Sequence, residues 1–183
     1  MILETDRLIL RDWVERDIDD LVDGLNNIEI SRWLVTVPNP YTRKDAEAFI
    51  RFCISKSDMQ KNRDSYEFAI EHKLEKKVIG GTAVNKINYY HGTAGGGIWI
   101  NVNNHGCGYG EEAFRKRVEF AFIELNLRRL ENGFLDGNQA SSKMQEKLGY
   151  VIEGKRRKGF LCMADGELKD EYTTSLLKDD WRK

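Results

Sequence analysis

Proline and cysteine are scarce in this chain. Only Pro38 and Pro40 occur among 183 residues, so few rigid linkers divide it. Cys53, Cys107 and Cys162 are scattered and odd in number, which excludes a disulfide framework and suits a reducing compartment. His72, His91 and His105 show no ligand spacing with one another or with the cysteines, so no metal is expected. No apolar run approaches the roughly 20 residues of a membrane-spanning helix. The opening Met1-Ile2-Leu3-Glu4-Thr5-Asp6 has no apolar core of a signal peptide. Charge excess is missing too. Lys+Arg number 29 and Asp+Glu 30, which argues against a nucleic-acid partner. No like-charged run reads as a disordered tail, and there is no internal repeat. The expectation is one cytoplasmic domain over residues 1–183, long enough for a real core.

Glycine is not scarce where it counts. His105-Gly106-Cys107-Gly108-Tyr109-Gly110 places three glycines at alternate positions between a strand-like run, Gly97-Ile98-Trp99-Ile100-Asn101, and a helix-like run from about Tyr109 to Leu125. Glycine reaches positive φ and allows close backbone approach. A helix start adds free N–H groups and partial positive charge, so the combination can cradle phosphate. Two familiar phosphate loops do not fit. Glu111 stands where the dinucleotide fingerprint needs glycine, and no Lys-Ser/Thr pair ends the loop as a nucleotide P-loop requires. A glycine-rich turn without a ligand remains the plain alternative.

Periodicity supplies the frame. Strands are expected at Leu8–Asp12, Tyr66–His72, Val78–Asn85, Gly97–Asn101, Arg129–Asp136, Tyr150–Glu153 and Glu171–Leu177. Helices are expected from an Asp17 cap to Leu25, over Asn27–Leu34, from a Thr42 cap through Arg43–Ser57, and over Ser142–Leu148 with Gly149 as its stop. Val35–Tyr41 and Lys73–Lys76 read as loops. The fold class is mixed α/β (α+β), with a mostly antiparallel central sheet flanked by helices.

Several stretches resemble the GNAT family of N-acetyltransferases, in the family's order from about residue 5 to residue 181. Thr5-Asp6-Arg7-Leu8-Ile9-Leu10-Arg11 is like the opening of the branch that acetylates ribosomal-protein N-termini, the RimL and RimJ kind. Trp33-Leu34 with Pro40-Tyr41-Thr42 resembles its acceptor-side helix and loop. Val78-Ile79-Gly80 resembles its turn into a central strand, and the glycine loop resembles its coenzyme A motif. Asn138-Gln139-Ala140-Ser141, Glu146-Lys147-Leu148-Gly149-Tyr150 and Glu153-Gly154 resemble one further signature. Asp170 through Tyr172 to Leu177 resembles the last strand.

The resemblance implies acetyl-CoA as co-substrate, bound in a cleft between splayed central strands, with no metal. Gly106, Cys107, Gly108, Tyr109 and Gly110 would hold the pyrophosphate by backbone N–H groups, with His105 leading the loop. The strand Ile98, Trp99, Ile100 would pair with the pantetheine arm, and one of its amides would polarise the thioester carbonyl. Asn138 would hydrogen-bond the arm. Ser141 would protonate the departing thiolate, or serve as the N-cap of the helix Ser142–Leu148. Trp33, Tyr41, Tyr89 and Tyr90 are expected walls of the acceptor site.

The chain departs from the family at three places. His105 replaces the usual Gln or Arg. Gly95, in the flexible or bulged run Gly95–Gly97, replaces a customary Glu. Gly159-Phe160 stand where some members carry an acid. The general base is therefore sought at Glu67 first, then Glu71, His72 or a water held between them. Lys155–Lys158 reads as a solvated turn or a contact to an anionic group. The expected reaction is direct attack of a primary amine on acetyl-CoA in a ternary complex, with a peptide N-terminus as acceptor. A small-molecule amine (polyamine, antibiotic or amino acid) is the alternative, and a non-catalytic acyl-CoA sensor is the rival from another class. A homodimer is compatible with this reading.

Overall fold

The computed structural model describes residues 1–58 and 63–181. One sheet runs through it in the order β1-β2-β3-β4-β5-β7-β9-β8, with β6 paired to β4 off that path. The strands are β1 (Ile2–Glu4), β2 (Leu8–Asp12), β3 (Tyr66–His72), β4 (Val78–Asn88), β5 (Thr93–Gly95), β6 (Ile98–Ile100), β7 (Arg129–Leu135), β8 (Val151–Leu161) and β9 (Leu168–Leu177). Every pairing is antiparallel except β5 with β7. The expected mixed, mostly antiparallel sheet is what forms.

Alternation decides the two faces. Tyr66, Phe68 and Ile70 of β3 pack toward α4 (Tyr109–Glu119) in a core with Leu8, Phe114 and Phe122. Burying each of those phenylalanines contributes roughly 1.5–3 kcal/mol. Ala69 points the other way, to a second core under α1 (Ile18–Leu25), α2 (Ile28–Ser31) and α3 (Arg43–Ser57). Thr42 caps α3 in a capping box with Asp45, as its position predicts. Gly149 ends α5 (Gln139–Leu148) at φ 97°.

Several expectations are corrected. Asp17 does not cap α1 with its side chain. Its carboxylate accepts from Val14 N at 3.0 Å and ion-pairs with Arg11 at 2.7 Å, so the charge pair claims it. Helix α5 starts three residues early, because Asn138 Oδ1 accepts from Ser141 N at 3.1 Å and caps it. Ser141 is thus inside the helix and is not its N-cap. The helix after the glycine loop finishes in a π-helical turn, Phe120–Glu124, where Leu125 N donates to Phe120 O. Strand β8 extends to Leu161 and takes in Lys155–Lys158, so that run is no loop. Its charges hide the strand pattern, as suits the edge of a sheet. Lys155 pairs with Asp136 and Asp170, and Arg156 with Glu171.

Candidate active site

The site is built on a split in the sheet. Strand β5 pairs with β7 only through Thr93↔Arg129 and Ala94↔Leu130. Beyond that, β6 stays with β4 while β7 stays with β9. Gly96 makes the break. It takes φ 151°, and a Cβ there would lie 1.9 Å from Ala83 O. The offset to β4 is the same at Asn85↔Gly95 as at Thr82↔Ile98, so no residue is inserted. The glycine run is a kink, and the register shift lies instead between Asn85 and Asn88.

The kink leaves carbonyls to satisfy. Arg117, fully buried on α4, donates from Nη1 to Ala83 O at 3.2 Å and from Nη2 to the Tyr150 hydroxyl at 3.2 Å. Its guanidinium stands 4.2 Å from the Phe114 ring centroid. Across the split, the Asn132 amide donates to Gly96 O at 2.7 Å and to Glu131 O at 3.1 Å. Sequence reading missed both residues. An arginine on the apolar face of an amphipathic helix was the available signal.

The ladder fixes which β6 amides are free. Ala83 N donates to Gly97 O at 3.1 Å and Asn101 N to Ile79 O at 2.7 Å, with Trp99 opposite Gly81 between them. Antiparallel alternation then turns the Ile98 and Ile100 amides away from β4, into the split. The Trp99 indole projects out of the sheet plane onto α1 and β4. Cβ atoms at Gly24 and Gly81 would come within 2.5 and 2.7 Å of it, so two glycines make its seat.

Two cavities flank the split and share Gly97–Trp99 on one side and Asn132–Leu135 on the other. One, of about 800 Å³, is lined by β6, the glycine loop and the start of α5. Gly106 and Gly108 hold φ 78° and 80°, and a Cβ on Gly106 would meet nothing within 4 Å. The glycines therefore answer to backbone conformation and to what enters, not to protein neighbours. The amides of Gly106, Cys107 and Gly108 have no backbone acceptor among the described residues. Those of Tyr109, Gly110 and Glu111 open α4 and have none within the helix. Such a cradle of amides at a helix start fits a pyrophosphate. His105 Nε2 donates to Ile100 O at 2.8 Å and ties the loop to β6. Cys107 is exposed and lies outside this lining.

Ser141 and Asn138 line the same cavity. Ser141 Oγ accepts from Gln145 Nε2 at 3.0 Å. Gln145 is buried. Its Nε2 also donates to Gly133 O at 3.2 Å, and its Oε1 accepts from the Thr174 hydroxyl. The amide is locked, so the serine hydroxyl keeps its own hydrogen for another acceptor. Tyr150 is buried against Arg117 and Phe114 and lines neither cavity.

The second cavity, about 1030 Å³, is walled by Trp33, Tyr41, Trp99 and Phe134 and contains Glu67. Burial pushes the Glu67 carboxyl above its ordinary value, against hydrogen bonds from Ser65 and Asn85. Burial likewise pushes the Tyr41 phenol up. Tyr89 and Tyr90 are not brought here. They sit exposed in the β4–β5 turn, where the Tyr89 hydroxyl donates to Arg63 O at 2.9 Å. Glu71 is held by Arg11 at 2.7 Å. His72 faces α4, with its Nε2 3.1 Å from the Tyr109 hydroxyl. Neither lines the cavity, so Glu67 stands apart from the other candidates of its strand.

Comparison with known proteins identifies the family. The acetyltransferase (GNAT) domain family matches residues 7–151. The uncharacterized N-acetyltransferase p20 of Bacillus licheniformis is 30% identical over 179 residues, 98% of this chain and 97% of the relative. The structure of a putative ribosomal-protein-serine acetyltransferase from Vibrio cholerae superposes with TM-score 0.78 at 25% identity, covering 97% of each chain. A spermidine N-acetyltransferase from Vibrio cholerae, in complex with CoA and spermine, superposes with TM-score 0.79 at 22% identity, covering 96% of this chain and 98% of that one. With the split sheet and the amide-lined loop, these matches show that the chain belongs to the GNAT acetyltransferase family and is an acyltransferase.

Proposed function

We propose that residues 1–183 act as one N-acetyltransferase domain that moves acetyl from acetyl-CoA to the primary amine of a peptide N-terminus. The observation that carries this reading is the pair of cavities sharing one split, with phosphate-cradling amides in one and a buried carboxyl in the other. Acetyl-CoA supplies a thioester whose carbonyl takes the amine and whose thiolate leaves. The loop amides from Gly106 to Gly110 hold the pyrophosphate. The Ile98 or Ile100 amide donates to the carbonyl oxygen as negative charge gathers there. Glu67 accepts the proton of the attacking amine, directly or through one water. Ser141 gives its hydrogen to the departing sulfur. Asn138 spends Oδ1 on the helix cap, which leaves its Nδ2 for the pantetheine arm.

Ion pairs take up three of the five carboxyls on the second cavity's lining, which weakens the case for a polyamine and supports a peptide. Arg129 binds Glu131 and Glu153, and Arg156 binds Glu171. Asp45 is taken by the α3 cap, and Lys86 stands on the same lining. Glu67, like Asp45, bonds to neutral groups, so a polycation would meet two carboxyls without a paired cation. A thiol-release assay over peptides beginning with Ser or Ala, spermidine and aminoglycosides tests the acceptor. Peptide turnover is expected to lead, and spermidine turnover above it would reverse the assignment. The donor is checked separately by melting temperature. Acetyl-CoA at one hundred times its Kd should add about 2.7 kcal/mol of stability, whereas NAD and ATP should add little. Equal stabilisation by NAD would remove coenzyme A from the reading.

A further inference from the structure

The loop with the free amides is gripped from behind by Arg7, in the bend between β1 and β2. Arg7 Nη1 donates to Cys107 O at 2.9 Å. Its Nε donates to Glu112 Oε2 at 2.7 Å, and Nη2 lies 2.6 Å from the same oxygen. The Arg7 amide donates to Glu112 Oε1 at 3.0 Å, and so does the Thr5 hydroxyl at 2.6 Å. The guanidinium also lies over the Tyr109 ring, 4.5 Å from its centroid. Arg7 thus joins the loop carbonyl at 107 to the first turn of α4 through a planar fork that is already charge-neutralised by Glu112.

A peptide unit is planar and trans, so its C=O and the next N–H point in opposite directions. Holding the Cys107 carbonyl toward Arg7 therefore aims the Gly108 amide away from Arg7. We infer that Arg7 is a positioning residue for coenzyme A: it fixes the Cys107–Gly108 peptide so that the Gly108 amide is preset for the pyrophosphate. The effect is geometric, because Glu112 cancels the charge. It rests on the reading that this loop holds the pyrophosphate.

The test is a binding comparison between coenzyme A and pantetheine, which lacks the pyrophosphate, by calorimetry or NMR titration. In Arg7→Met the coenzyme A Kd should rise roughly 10- to 100-fold, the size of a lost charge-assisted hydrogen bond. The pantetheine Kd should stay within about twofold, well inside one weak hydrogen bond. Arg7→Lys keeps the charge but cannot fork between Glu112 and Cys107, so it should show the same selective loss. Glu112→Gln, which loosens the anchor, should follow. An unaltered coenzyme A Kd in folded Arg7→Met or Arg7→Lys overturns the inference. Parallel loss of both ligands overturns it as well, because that marks general damage to the fold. If the unsubstituted protein binds coenzyme A no better than pantetheine, the pyrophosphate reading fails, and it fails independently of Arg7.

Discussion

Ser141→Ala is expected to lower kcat by about 10²–10⁴-fold, the usual contribution of a positioned general acid, with coenzyme A affinity nearly unchanged. The hydroxyl accepts from Gln145 Nε2, and Gln145 is pinned by Gly133 O and Thr174. Its remaining hydrogen is the one available to a thiolate. The pyrophosphate cradle lies on a different element, so binding has no reason to change. Nor should stability fall far. Gln145 keeps Gly133 O as an acceptor, and one neutral hydrogen bond is worth about 1 kcal/mol. Single-turnover kinetics with acetyl-CoA and a calorimetric Kd separate the two quantities. Unchanged kcat in a variant that binds coenzyme A normally would mean that the thiolate leaves unassisted.

Glu67→Gln should lower kcat/KM by a similar factor, about 10²–10⁴, and erase the acid limb of its pH profile. Burial holds the Glu67 carboxyl above its ordinary value. A base must be ionised, so activity in the unsubstituted enzyme rises as pH climbs through that raised value. Glutamine cannot titrate and leaves the profile flat there. Stability moves the opposite way. A carboxyl with a raised folded pKa favours the fold while protonated, and that contribution is lost as pH rises from the ordinary carboxylate range through the raised value. At neutral pH the glutamine variant should therefore melt higher than the parent while turning over more slowly. A variant that retains the acid limb would move the base elsewhere, and one that melts lower would mean that the hydrogen bonds to Glu67 outweigh the cost of burying its charge.

Glu67 shows where sequence reading stopped. Glu67, Glu71 and His72 share one strand, and the sequence ranks Glu67 first without a packing reason. Alternation already sets His72 on the other face, and only tertiary packing separates Glu67 from Glu71. Arg11 claims Glu71, strand alternation sends His72 to Tyr109, and of the three Glu67 alone reaches the cavity. Tyr89 and Tyr90 lie away from the cavity for a related reason. Both sit in the short β4–β5 turn, where they stay exposed. Gln145 and Arg117 carried no motif. Their roles depend on a carbonyl from β7 and a kink beside β4, both far away in the chain.

Local chemistry was legible from residues alone. The alternation of Tyr66–His72, the Thr42 capping box, the Gly149 stop and the positive φ at Gly106 and Gly108 depend on a few neighbours each. Such features are set by backbone sterics and nearest hydrogen bonds, which a sequence states directly. Where β6 leaves β7, which amides remain free, and which carboxyl stays unpaired were decided by long-range pairing. There the energy of one group depends on desolvation and on partners brought together only when the sheet closes.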